Sequence, residues 1–112
     1  MAIEVVKIRE HINAIYIGRG SRSYQQSPLH NPFKTNDYSD SERNRVCDLY
    51  EEYFHNKMAE GTDQVFIQAV QDIADKYIAG EDVKLGCFCS PLRCHGDTIK
   101  NWLENYFKEY FI

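Results

Sequence analysis

The sequence predicts an α/β fold, a small mixed three-stranded sheet (β-β-loop-α-α-β-α) packed with about three helices. Three observations predict it. Two short β-branched runs open the chain, two apolar patterns of helical period fill its middle, and a third strand-like run leads into a last helical pattern.

The elements follow in order. Ile3 to Ile8 and Asn13 to Ile17 are short and rich in β-branched residues, and the polar Arg9-Glu10-His11 separates them, so an antiparallel hairpin is expected. From Gly18 to Asp40 the residues are mostly Gly, Ser, Gln, Asn and Pro without an apolar period, which predicts a long loop that is either functional or mobile. Ser39 followed by Glu42 has the form of a capping box, and Val46, Leu49, Tyr50, Tyr53, Phe54 and Met58 then recur at three and four residues. Gly61 is placed to end that helix and Thr62 to cap the next, whose apolar face is Phe66, Val70, Ile73, Ala74 and Tyr77. Val83 to Phe88 reads as a strand. After Pro91, Ile99, Trp102, Leu103, Tyr106, Phe107 and Tyr110 mark a third helix running almost to the C-terminus.

The chain of 112 residues suits one domain over 1–112, with 43% hydrophobic residues to fill a core. No run approaches the ~18 apolar residues that span a bilayer. The first residues lack a basic segment followed by an apolar one, so the expected location is the cytoplasm and no membrane partner is expected. Net charge is −4, which argues against nucleic acid as a partner. The charge is uneven: residues 1–45 hold seven Lys or Arg against five Asp or Glu, and the rest six against twelve, so an anion-binding surface should draw on the first part.

Three segments could carry chemistry. In Cys87-Phe88-Cys89-Ser90-Pro91-Leu92-Arg93-Cys94-His95-Gly96-Asp97, strand periodicity puts Cys87 and Cys89 on one face, and a turn at Ser90-Pro91 returns Cys94 and His95 towards them. Zinc on Cys87, Cys89, Cys94 and His95 is chemically reasonable, but paired zinc cysteines usually stand two to four residues apart, so no cofactor is expected. The other reading places Cys94 at a helix start, where the dipole would lower its pKa and make it a nucleophile, with His95 and Asp97 as acid and base. The plain alternative is that the cysteines are core residues, Ser90 or Asp97 caps a helix, and His95 makes a local hydrogen bond. Cys47, alone in a helical pattern, reads as core.

The second segment is Tyr16-Ile17-Gly18-Arg19-Gly20-Ser21. Gly18 and Gly20 would let backbone approach a ligand, and Arg19 and Ser21 could bind phosphate or carboxylate, though a turn with a solvated Arg explains a lone Gly-x-Gly as well. The third is Asn31-Pro32-Phe33, in which Phe33 anchors the loop and Asn31 is open to a ligand role.

Taken as an ordered set, Tyr16-Ile17-Gly18-Arg19, Asn31-Pro32-Phe33 and Cys87-x-Cys-x4-Cys94-His95-Gly96-Asp97 resemble an uncharacterised family of small bacterial and tailed-phage proteins described as a domain of unknown function. The family pattern has Gly before Asn-Pro-Phe, where this chain has His30 after an expanded Ser23–Leu29 segment. The resemblance implies a bacterial or phage source and one pocket built from these segments, and it implies no activity.

The expected function is binding of a phosphorylated or nucleotide-like small ligand in a cleft of Gly18–Ser21, Asn31 and the Cys94–Asp97 helix start, with hydrolysis or transfer as an open extension. The competing expectation is a non-enzymatic accessory protein that binds a host protein or forms a homodimer. Trp102, Tyr106, Phe107, Tyr110, Phe111 and Ile112 would supply its apolar surface, and its cysteines would be structural.

Overall fold

Val83–Cys87 is the most apolar strand, with only Lys84 exposed, and it occupies the middle of the sheet. A computed structural model describes residues 2–89 and 92–108. In it the elements are β1 (Ile3–Lys7), a 3-10 turn (Ile8–Glu10), β2 (Ile15–Tyr16), α1 (Asp40–Glu60), α2 (Gln64–Ile78), β3 (Val83–Cys87) and α3 (Gly96–Tyr106). The α/β class and the order of elements are those expected.

The expected hairpin does not form. Both β1 and β2 pair with β3, in parallel, giving the order β1-β3-β2. Parallel neighbours normally need a long crossover, but Val5 and Ile15 both align with Leu85, so the chain leaving β1 steps back only slightly to start β2. Gly86 makes this passage close: a Cβ there would stand 3.1 Å from the Cβ of Ile8, which is buried against β3 in the 3-10 turn. The polar Arg9-Glu10-His11 read as a tight turn thus lies in a connection that crosses the end of β3.

The helix starts and stops mostly follow local chemistry. Ser39 Oγ accepts from the Glu42 N–H at 3.3 Å, whereas the Glu42 carboxylate turns to the Asn36 N–H at 2.8 Å and to Arg45, so half of the capping box is formed. Hydrogen bonds from Arg45 and Asn36 hold Glu42 down at about 2. Gly61 ends α1 in the left-handed conformation, φ 66°. The cap of α2 is Asp63, not Thr62, because the Asp63 carboxylate accepts from the Phe66 N–H at 3.1 Å.

The core joins Tyr50 and Phe54 of α1, Phe66, Val70 and Ile73 of α2, Leu85 of β3, and Ile99 and Leu103 of α3. Burying each large side chain stabilises the fold by about 1.5–3 kcal/mol. Gly96 sets α3 tightly on the sheet, since a Cβ there would lie 2.8 Å from Ile17 Cδ1 and 3.1 Å from Val5 Cγ1. Trp102 packs on Phe54 and Phe107 is buried by Tyr77, so these two wrap the core, while Tyr106 is exposed. Tyr110, Phe111 and Ile112 lie outside the described residues, as do Ser90 and Pro91.

Gly86→Ala should destabilise the protein by about 1–3 kcal/mol through overpacking, and pairing it with Ile8→Val should recover part of the loss. Urea unfolding of the two single variants and the double variant measures both; independent, additive effects would mean that Ile8 does not set the limit at Gly86.

Candidate functional site

Parallel strands all end on one side, and ligands of open α/β sheets bind beyond those carboxyl ends. Here a cleft of about 590 Å³ opens beyond the ends of β2 and β3, closed on its far side by the start of α1. Gly18, Arg19, Gly20, Ser21, Asn31, Cys94 and His95 line it together, although they come from three separated stretches of the chain. Asp97 does not line it. It borders a second cavity of about 530 Å³ between α1 and α3, with Glu51, His55 and Trp102.

The loop between β2 and α1 is anchored at many points. Leu29 is buried in the core, and the Tyr50 hydroxyl, itself fully buried, donates to its carbonyl at 2.8 Å. Asn31 makes two ties: its Nδ2 donates to the Val46 carbonyl of α1 at 3.1 Å, and its Oδ1 accepts from the Phe33 N–H at 2.9 Å. Arg19 donates from Nε to the Asn31 carbonyl at 3.0 Å and from Nη2 to the Phe33 carbonyl at 2.7 Å. Arg19 and the Asn31 amide therefore shape the loop first, and what Arg19 leaves for a ligand is chiefly Nη1. Phe33 packs edge-on against Tyr53, which is the anchoring expected of it. His30 takes an ordinary backbone conformation and its Nδ1 lies 2.7 Å from the Ser27 carbonyl, so the position needs no glycine.

At the start of the loop the Tyr16 ring folds back, donating its hydroxyl to the Arg19 carbonyl. A Cβ on Gly18 would stand 2.7 Å from the Tyr16 ring, which is the physical reason for Gly after Tyr-Ile. Tyr16 also stacks on Tyr24 at 4.7 Å, and Phe88 meets both edge-on at 5.8 Å, with the Arg9 guanidinium 5.3 Å over Phe88. This aromatic group gives the cleft one wall.

Two cations line the cleft as well. Arg43, ion-paired to the exposed Asp40, and Arg93 both face the cleft. Arg93 is held by Asn44 Oδ1 at 3.1 Å and Asp48 Oδ1 at 2.8 Å. Sequence reading passed over Arg43, Arg93, Tyr24 and Phe88. The adjacency of Arg93 to Cys94-His95 was the one available signal; the others are brought in by α1 and by the loop fold. Cys47, expected in the core, is buried and also borders the cleft.

The floor is Cys94 and His95. The backbone N–H groups that a helix start would turn to a ligand are taken up here: Gly96 N–H points to Cys94 Sγ at 3.3 Å, Asp97 N–H to the Cys94 carbonyl at 3.1 Å and Thr98 N–H to the His95 carbonyl at 3.1 Å. These donors are engaged within the turn. Asp97 reaches back to accept from the Cys94 N–H at 3.2 Å, so it caps the helix rather than facing the cleft. The Cys94 thiol is raised above the ordinary thiol range, contrary to the lowering expected from a helix start. Its contact with Cys87, Sγ to Sγ 3.2 Å, and then burial outweigh the Gly96 N–H.

His95 is buried, and its Nε2 meets the Ile17 carbonyl at 2.6 Å. A carbonyl only accepts, so Nε2 carries the proton. Burial holds the imidazole below its ordinary value against the opposing pull of that bond, which keeps it neutral and leaves Nδ1 as its basic atom. Among the described residues no group of three or more His, Cys, Asp or Glu is placed to hold a metal.

A family model matches residues 4–105, nearly the whole described chain. The chain belongs to the family described as a domain of unknown function, DUF4326. No curated protein matches it, and no solved structure matches it. The segments that carried the resemblance in the sequence are those that meet at the cleft of this family member.

Burial makes protonation of His95 unfavourable in the folded state, so the unfolded chain binds that proton more tightly. Stability is then complete above the ordinary value of 6.5 and is lost as pH falls below it towards the lower folded value. Urea unfolding at about pH 7.5 and about pH 5.5 should show this loss in the wild type and a smaller one in His95→Gln, which keeps a donor for Ile17. Equal pH slopes in the two proteins would mean that His95 is not the titrating group.

Proposed function

We propose that the protein binds a phosphorylated, nucleotide-like small molecule in the cleft beyond β2 and β3. One observation carries the reading: the aromatic rings of Tyr16 and Phe88 and the cations Arg43 and Arg93 line one space of about 590 Å³, within the size range of small-molecule sites. A flat base is recognised by stacking on such rings, and a phosphate by guanidinium groups. Arg19 Nη1, the Gly18–Gly20 backbone and Ser21 would complete the anion side.

The floor supplies what a reaction on that ligand would need. Cys94, at the floor, would be the nucleophile, and His95 Nδ1 the base that takes its proton, the raised thiol pKa requiring such help. In this reading Asp97 holds the turn that presents them. Hydrolysis or transfer of a phosphorylated group is the reaction class that fits.

No helix among the described residues is long and apolar enough to cross a membrane. We place the protein in the cytoplasm of a bacterium or a phage-infected cell. The support is its cluster of thiols, which a reducing compartment keeps reduced, together with the segments that resemble bacterial and phage sequences.

Titration calorimetry against nucleoside mono- and diphosphates, with inorganic phosphate and an unphosphorylated nucleoside as references, tests the proposal. Nucleotides should bind more tightly than either reference. Arg43→Gln should weaken them about tenfold or more, with little change in stability, because its ion pair with Asp40 is at the surface. Arg19→Ala should lose both affinity and loop order. Failure of every nucleotide to bind at millimolar concentration, or an Arg43→Gln protein that binds as tightly as the wild type, would overturn the assignment.

A further inference from the structure

Three thiols form a chain from the core to the surface at the end of β3. Cys87 and Cys94 are both buried, with their sulfurs 3.2 Å apart. Cys89 is exposed, two residues on from Cys87, and its contact with Cys87 and then burial raise its thiol above the ordinary range. Cys87 and Cys94 keep almost none of their surface in water, although Cys94 borders the cleft, whereas Cys89 is exposed and is the thiol that a reagent in bulk solvent meets first.

We propose that Cys87 and Cys94 are an oxidation site, closed to an intramolecular disulfide by a low-molecular-weight disulfide that enters through Cys89. A disulfide brings sulfurs to about 2.05 Å, roughly 1 Å closer than this pair already stands. Side-chain rotation covers that distance, and β3, which ends at Cys87, and the turn before α3, which holds Cys94, need not separate.

The exchange proceeds in three displacements. The Cys89 thiolate attacks one sulfur of RSSR, forming a Cys89–SR mixed disulfide and releasing RS⁻, which takes up the proton Cys89 gave. Cys87 then attacks the Cys89 sulfur, and a second RS⁻ leaves and is protonated by the proton from Cys87. Finally Cys94 attacks the Cys87 sulfur, and Cys89 departs as thiolate and recovers a proton from Cys94. In sum two protein thiols lose two hydrogens and two electrons, and RSSR is reduced to two RSH.

The product joins the last residue of β3 to the residue before His95 and withdraws the Cys94 thiol from the floor of the cleft. Oxidation therefore changes the cleft at its centre without adding any group to the protein. Cys47, on α1, borders the same cleft, so it serves as the competitor that the assigned pairing must exclude. The disulfide site stands on the Cys87–Cys94 geometry, the entry step on the exposure of Cys89, and both hold whatever ligand the cleft takes.

The test is to incubate the full chain with oxidised glutathione, quench with acid, alkylate the remaining thiols under denaturing conditions and map the peptides. Of the four cysteines, two should escape alkylation, linked as Cys87 to Cys94, with no glutathione retained and the intact mass lower by two hydrogens. Dithiothreitol should restore all four. Cys89→Ser, a change at an exposed position, should give the same product about tenfold or more slowly, because the entry thiol is gone. Four alkylated cysteines, a lasting glutathione adduct on Cys89, or a link between Cys47 and Cys89 would each overturn the site. An unchanged rate in Cys89→Ser would overturn the relay.

Discussion

Ile17 is held at both of its backbone groups, and the cleft depends on that. Its N–H donates to the Gly86 carbonyl at 3.0 Å, extending the β2 pairing, and its own carbonyl takes the His95 Nε2–H at 2.6 Å. With only Ile15 and Tyr16 paired as strand, β2 is too short to be secured by its ladder alone. The imidazole pins the end of this edge strand to the start of α3, where Gly96 admits the Ile17 side chain at close range. Strand, helix start and loop origin thus meet at one buried hydrogen bond, which needs His95 as a donor at Nε2.

The polar groups around the cleft divide into those that build it and those that face it. Asn31, Asp97 and two of the three guanidinium nitrogens of Arg19 have partners on the protein's own backbone. A loop running from Gly18 to Ser39 carries many backbone donors and acceptors and few apolar residues, so side-chain ties replace the ladder that a regular element would provide. Leu29, buried under the Tyr50 hydroxyl, gives the loop its one deep apolar anchor. With the loop held in this way, Tyr16, Tyr24 and Phe88 can form an ordered aromatic wall partly open to solvent.

The cysteine segment serves two ends of one short stretch. Cys87 and Cys94 pack as small buried side chains between β3 and α3, and Cys94 is also the floor of the cleft. The same closeness that raises the Cys94 thiol above the ordinary range sets its sulfur beside that of Cys87. The geometry that packs these two thiols is thus the one on which both the proposed nucleophile and the proposed oxidation chemistry would draw.

Much of the fold was legible along the chain because it rests on local chemistry. The 3.6-residue apolar period of α1, α2 and α3, the Ser39 cap and the left-handed Gly61 need only near neighbours, and the structure has them in place. The grouping of Gly18–Ser21, Asn31 and Cys94-His95 was legible too, as an ordered set of motifs. Tertiary structure alone decided the rest. Whether β1 and β2 pair or admit β3 between them depends on which strand can be covered on both faces, and on a glycine at position 86 that makes room for Ile8. The tasks of Arg19 and Asp97, and the sense of the Cys94 shift, depend on carbonyls, amides and a thiol contributed from elsewhere in the fold. Residue type states what a side chain can donate or accept; only the folded chain states which partner is within 3 Å and how much water is left around it.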